Sequence, residues 1–277
     1  VLLAILIAMI GSLNDLIYKK NSADSGNDRK CLFFSLAAVF SAMYCFLYII
    51  AFKGGFHFKL LELAYGTGIG FISFAVYILF LFSFDGINTS ISITIFRMNL
   101  IPSIIIAMIF IDETITIKRG IGIALCIIAM LLLSSKMSGQ GIKKKYLLLS
   151  LAACLGCAAL NFANKFVSMH GLDPFFIMFW RFSTVSVVSF ILLFFIKPGS
   201  ISARDFKYPA ISGLLLLLSV LCTLVAFKSG NVNLVTPIGQ MSFILTSLYS
   251  WAVYKERMNA TKLVGISCGV LAVIMIV

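Results

Sequence analysis

Residues 88–122 read NTSISITIFRMNLIPSIIIAMIFIDETITIKRGIG, and residues 231–265 read NVNLVTPIGQMSFILTSLYSWAVYKERMNATKLVG. Each stretch opens on an asparagine, Asn88 or Asn231, and continues into an apolar run of about membrane-spanning length. Each run ends in charged residues, Asp112-Glu113-Thr114 in the first and Lys255-Glu256-Arg257 in the second. In each, a glycine stands nine residues after the glutamate: Gly122 after Glu113, and Gly265 after Glu256. All three pairs share one offset of 143 residues, which is the mark of an internal repeat.

Working outward, eight further apolar runs flank these two. The ten lie at 1–18, 31–52, 61–84, 88–111, 119–135, 146–164, 174–196, 208–227, 232–254 and 261–277. The gaps between them are short and hold the turn and charged residues, so no soluble domain fits and the function lies within the membrane. Hydrophobic residues make up 61% of the chain and charged residues 12%, about half the usual charged share. A soluble fold of this size cannot hide so much apolar surface, whereas lipid solvates it. Five runs in each half is an odd number, so the halves, 1–135 and 136–277, are expected in opposite orientations. That is an inverted repeat, an architecture that rocks about a central site.

The net charge of +12 does not signal nucleic acid, because the basic residues sit in gaps between runs, where they anchor helix ends at headgroups. The loops on the side of the termini carry six basic residues against fourteen opposite, which by the positive-inside rule places the termini outside. Seven cysteines fall almost wholly inside apolar runs; Cys154-x-x-Cys157 has no histidine or second pair nearby and reads as helix packing. No metal site and no cofactor are expected. No phosphate-binding G-x-x-x-x-G-K-[ST] loop, H-E-x-x-H or G-x-S-x-G occurs, so neither an ATP engine nor an intramembrane enzyme is read here. The chain opens and stops inside apolar runs, and further residues are expected beyond both ends; the first run lacks the cleavage site of a signal peptide.

The succession from Pro102 through Asp112-Glu113 to Gly122, with its second copy at Glu256 to Gly265, resembles the drug/metabolite transporter superfamily, EamA type. Gly11-Ser12-x-Asn14 in the first run is similar to that family's first-helix motif, although no tryptophan precedes Gly11 and Leu245 stands opposite Pro102. The resemblance implies an all-α membrane fold of ten helices in two inverted five-helix repeats. It also implies a cavity between them lined mainly by helices 1, 3, 4, 6, 8 and 9, and termini in the cytoplasm, against the loop charges. The implied activity is secondary transport of a small polar metabolite by alternating access, in a cell inner or plasma membrane. A lipid-linked carrier flippase and an exporter of a cationic metabolite are the alternatives. The expected partners are the solute, the bilayer and a coupling proton; no oligomeric state is read from the sequence.

Ionisable residues inside a span cost roughly 2.5–3.5 kcal/mol at the helix centre on insertion scales, so each calls for a reason. Arg97 stands near the middle of the fourth run, in helical register with Ser90 and Thr94. Its partner at the repeat offset is Gln240. Two such polar stripes facing each other would line a cavity, with Arg97 binding a carboxylate or phosphate. The other reading is a structural Arg97 paired with Asp15 or Asp85. Asp15 is the candidate proton carrier, and Asn14, Asn161, Asn164 and Tyr77 complete the expected substrate-binding set. Trp180-Arg181 reads instead as an interfacial tryptophan beside an arginine that reaches headgroup phosphate. Pro102 and Pro237 are expected to bend their helices, and Gly66, Gly68, Gly70, Gly265 and Gly269 to bring helices close.

Overall fold

The computed structural model describes residues 2–22, 26–85, 89–134, 144–196, 204–242, 244–245, 248–249 and 260–277. The described residues form helices and no strand: α1 Leu2–Ser22, α2 Asn27–Phe52, α3 Leu60–Ser83, α4 Thr89–Arg97, α5 Leu100–Phe110, α6 Ile117–Ser134, α7 Lys144–Met169, α8 Pro174–Ile196, α9 Arg204–Ser229, α10 Val232–Gln240 and α11 Ala260–Ile276. Only helices satisfy every backbone polar group along an apolar run inside lipid. Six of the spans are long and apolar enough to cross a bilayer, and Leu2–Ile17 and Leu263–Ile276 are shorter apolar helices. Asn88, Glu256 and the expected boundary at 135/136 lie outside the described residues, as does the side chain of Ser90.

The outer faces are apolar and exposed (Phe71, Ile109, Phe190, Phe194 and Leu271 among them), while Ser35, Ser41, Ser73, Ser92, Asn99 and Ser103 are buried. Apolar outside and polar inside is the distribution that a lipid solvent selects.

The helix contacts follow a definite pattern: α3 packs on α8 and α7, α2 on α8 and α9, α1 on α9 and α10, α7 on α4 and α5, α5 on α10, and α6 on α11. Glycines set the closest of these. A Cβ on Gly66 would lie 2.5 Å from Trp180 Cβ, and one on Gly70 would lie 2.9 Å from the Arg181 carbonyl oxygen. Any side chain there would push α3 off α8. Gly122 plays the same part for α6 against Ala272 and Ile276, whereas Gly68 faces open space.

Ion pairs fix the relative directions. Arg29, near the start of α2, meets Asp205, near the start of α9, at 2.8 Å, so these helices run parallel. Lys53, just past the end of α2, meets Asp173, just before α8, at 2.7 Å, so those run antiparallel. The Asp173 hydrogen bond raises the Lys53 pKa above the ordinary lysine value.

The fourth run differs from expectation in being broken. Helix α4 stops at Arg97 and α5 begins at Leu100. Pro102 explains this: it has no N–H to offer the Met98 carbonyl four residues back, and its ring crowds that oxygen. Met98 O instead accepts from Ile101 N at 3.0 Å, a tighter three-residue turn. In the second half α10 stops at Gln240, and Met241 O accepts from Ile244 N at 3.0 Å. No proline stands at position 245, so the second break occurs without that cause.

Candidate functional site

The break between α4 and α5 brings the polar residues of five helices together. Arg97 ends α4 and is buried. Its Nη1 donates to the Gln240 carbonyl oxygen at 3.1 Å and to Ser242 Oγ, and its Nη2 donates to Asp15 Oδ2. The sequence reading left Arg97 open between an anion clamp and an ion-paired residue; the pairing with Asp15 is present, and Asp85 instead meets Lys30 at 3.7 Å. Arg97 and Gln240, 143 residues apart, thus meet where α4 and α10 both end.

Asn99 is the centre of this cluster, and the sequence reading did not select it. It is fully buried, and its Oδ1 accepts from Gln240 Nε2 at 3.2 Å and from Asn161 Nδ2 at 3.3 Å. Its own Nδ2 donates to the Phe96 carbonyl oxygen at 2.7 Å. Asn161 Nδ2 donates also to Ser103 Oγ at 3.0 Å. A signal was there to find, because Asn99 and Ser242 are related by the same 143-residue offset and both are polar. The cluster carries one cation, one anion and a set of amides and hydroxyls joined by hydrogen bonds.

The remaining expected site residues do not all join it. Thr94 is half-buried one turn before Arg97. Asn14 is next to Asp15 but turns to α9, accepting from Ser212 Oγ at 2.7 Å. Asn164 and Tyr77 belong to a second place, beside Arg181.

Arg181 corrects the interfacial reading of Trp180-Arg181. It follows Pro174 by seven residues, about 10 Å along α8, and only 3% of it is exposed. The close contact of Gly66 and Gly70 with α8 carries its backbone into the bundle and shuts off the route to headgroups. Its Nη1 reaches Asn164 Oδ1 at 3.5 Å, and its Nε has no hydrogen-bond partner among the described residues. Arg181 borders a void of about 10 Å³ lined also by Phe34, Ser73, Tyr77, Phe182 and Leu216, with room for roughly one water molecule. The void is thus lined by α2, α3, α8 and α9.

Two more buried charges are structural. Glu113 Oε1 and Oε2 accept from the amides of Val232, at 2.8 Å, and Asn233, at 3.1 Å, so the carboxylate caps the first turn of α10. Lys165 Nζ donates to the carbonyl oxygens of Phe227, at 2.9 Å, and Gly230, at 2.8 Å, and lies 3.8 Å from Glu113. Among the described residues no group of histidine, cysteine and carboxylate side chains is placed to hold a metal.

Comparison with known proteins gives the fold, and a family match for part of the chain. A solved structure, titled only as the crystal structure of a protein, superimposes with a TM-score of 0.81 at 11% identity, covering 98% of this chain and 95% of that one. At that identity the likeness is one of fold. No curated protein matches by sequence. The model of the EamA-like transporter family matches residues 144–277. Residues 144–277 are therefore similar to a domain of the EamA-like transporter family, and the chain that carries them is a multi-pass membrane protein.

Proposed function

We propose that the protein is a secondary transporter that moves a small polar solute by alternating access through a cavity between two inverted five-helix repeats, residues 1–135 and 136–277. The observation that carries this reading is the matched pair of helix interruptions. Arg97 ends one helix and Gln240 ends another, 143 residues apart. Just beyond, the three-residue turn closed by Ile101 N on Met98 O has its counterpart, at the same offset, in Ile244 N on Met241 O. Interrupted helices at a repeat interface expose backbone polar groups where a solute passes, and they provide hinges at the midplane.

The helix contacts support the repeat. Exchanging the halves sends α1 to α7, α2 to α8, α3 to α9, the α4–α5 pair to α10, and α6 to α11. Under that exchange α3 on α7 becomes α9 on α1, α2 on α9 becomes α8 on α3, and α1 on α10 becomes α7 on α4 and α5. The pairs α2 with α8, α5 with α10 and α6 with α11 map onto themselves. Every one of these pairings is observed.

Asp15 is the coupling group in this reading. Charged, it holds Arg97; protonated, it releases the guanidinium toward a solute passing beside Thr94, Gln240 and Asn161. Binding of an anionic or zwitterionic solute, such as an amino acid, is then linked to uptake of a proton. The membrane is the cell's plasma or inner membrane.

The test is uptake of labelled amino acids and small organic anions into proteoliposomes, with and without an imposed pH gradient. Wild-type protein is expected to accumulate solute when a gradient is applied. Asp15→Asn is expected to exchange solute across the membrane but not to concentrate it. Absence of any flux, under gradient or exchange conditions, would remove the transporter reading; gradient-driven uptake by Asp15→Asn would remove Asp15 from coupling.

A further inference from the structure

We infer that Arg181, with Tyr77 and Asn164, is an anion subsite that takes the carboxylate of a solute with an apolar body. The inference rests on the transporter reading and names its substrate class. The first observation is the absence of a counter-charge. Arg97 has Asp15, Lys165 has Glu113, Lys30 has Asp85, Lys53 has Asp173 and Arg29 has Asp205. Arg181 is as deeply buried as any of these and forms no ion pair among the described residues. Among the described residues its Nε meets no acceptor, and its hydrogen bond to Asn164 Oδ1 is 3.5 Å long. A guanidinium kept in a low-dielectric interior with donors unused is matched to a ligand that brings its own negative charge.

The second observation is the company Arg181 keeps. No hydrogen bond ties the Tyr77 hydroxyl to protein among the described residues, and Tyr77 and Arg181 line the same void. A phenol and a guanidinium fork together present the donors a carboxylate accepts. The other walls are Phe34, Phe182, Val185, Leu216 and Val220, with only Ser73 polar. Such walls reject a strongly hydrated dianion and accept an apolar substituent. The void of about 10 Å³ is too small for a solute, so this conformation is a contracted state of the subsite.

The third observation is the link to the cluster at the helix breaks. Asn161 touches Asn99 and Ser103, and Asn164 touches Arg181, three residues on along α7. Side chains three apart on a helix are neighbours, roughly 5–6 Å between their Cβ atoms. A solute held at Arg181 therefore lies one helical turn from the groups that join the repeats.

Arg181→Gln, Arg181→Met and Arg181→Lys, purified beside the wild type, test the assignment by thermal melting. The probes are sodium 3-phenylpropanoate, its neutral amide, and sodium chloride at equal ionic strength. The carboxylate is expected to raise the wild-type melting temperature saturably, by about 3 °C at several times its Kd. The amide and chloride are expected not to. Arg181→Gln and Arg181→Met are expected to abolish the shift while melting higher than wild type without ligand, because an uncompensated charge has been removed. Arg181→Lys is expected to keep part of the shift. If both neutral variants melt lower or fail to fold, Arg181 is structural and the subsite is overturned. It is overturned equally if the carboxylate shift survives Arg181→Gln, or if chloride alone reproduces it. Proteoliposome flux separates this from the wider reading. Flux of another solute that is indifferent to Arg181→Gln removes only the subsite, whereas Arg181-dependent binding of the carboxylate without any flux removes only the transporter.

Discussion

Arg97 and Arg181 both lie within membrane spans, and the fold surrounds them in opposite ways. Arg97 sits at a helix break, where freed backbone and side-chain oxygens converge: its donors meet Asp15, the Gln240 carbonyl and Ser242. Arg181 sits in an unbroken helix pressed against two glycines, and Asn164 Oδ1 is the acceptor it reaches among the described residues. A helix break frees backbone oxygens that an unbroken helix uses mostly in its own ladder. The difference teaches that burial alone does not identify a binding arginine; what matters is whether the interior around it already holds the opposite charge. By that measure Arg181, with no counter-charge among the described residues, is the better candidate to meet a ligand's charge, and Arg97 is already paired.

This contrast can be broken most directly at Asp15. Asp15→Asn leaves Arg97 buried without its anion and is expected to destabilise the protein by about 3 kcal/mol, the lower end for breaking a buried pair. The partial exposure of the Asp15 side chain, 29%, keeps the figure at that end. Thermal melting of the purified variant measures it, and Asp15→Asn combined with Arg97→Gln should recover part of the loss. A melting temperature equal to wild type in the single variant would show that Arg97 does not need its partner, and the distinction from Arg181 would collapse.

Glu113 extends the comparison to a third buried cation. Glu113→Ala removes the cap on Val232 and Asn233 and the anion beside Lys165, at an expected cost of about 2 kcal/mol in the same assay. A loss well below this would mean that the two carbonyl oxygens suffice for Lys165. The smallest effect is expected at Asn161, where replacement by leucine removes the contacts to Asn99 and Ser103. Interhelical hydrogen bonds in membranes average roughly 0.6 kcal/mol, so the loss should be about 1 kcal/mol. A much larger loss would show that the amide network acts as one unit with the Arg97 pair.

Much of the architecture was legible in one dimension. Apolar runs of spanning length admit only helices in lipid, and the 143-residue offset linking Asn88, Glu113 and Gly122 to their second copies needs no coordinates to be seen. The candidate site was legible only in part. Arg97, Asp15, Asn161 and Gln240 stood out as polar residues in apolar surroundings, and they do converge, but Asn99 at their centre was passed over. Tyr77 and Asn164 were selected for the same cavity and sit instead beside Arg181.

Sequence by itself determined the solvent of this protein, its helical class and the residues whose polarity demanded an explanation, because hydropathy and spacing are properties of the chain alone. Tertiary structure decided which charge met which. Asp15 and Arg97 are 82 residues apart, and nothing along the chain distinguishes that pairing from Arg97 with Asp85. It decided also that Arg181 faces inward, because the side of α8 that packs on α3 is set by Gly66 and Gly70 a hundred residues earlier. An arginine's partner is a fact about helix packing, and helix packing is written across the chain rather than along it.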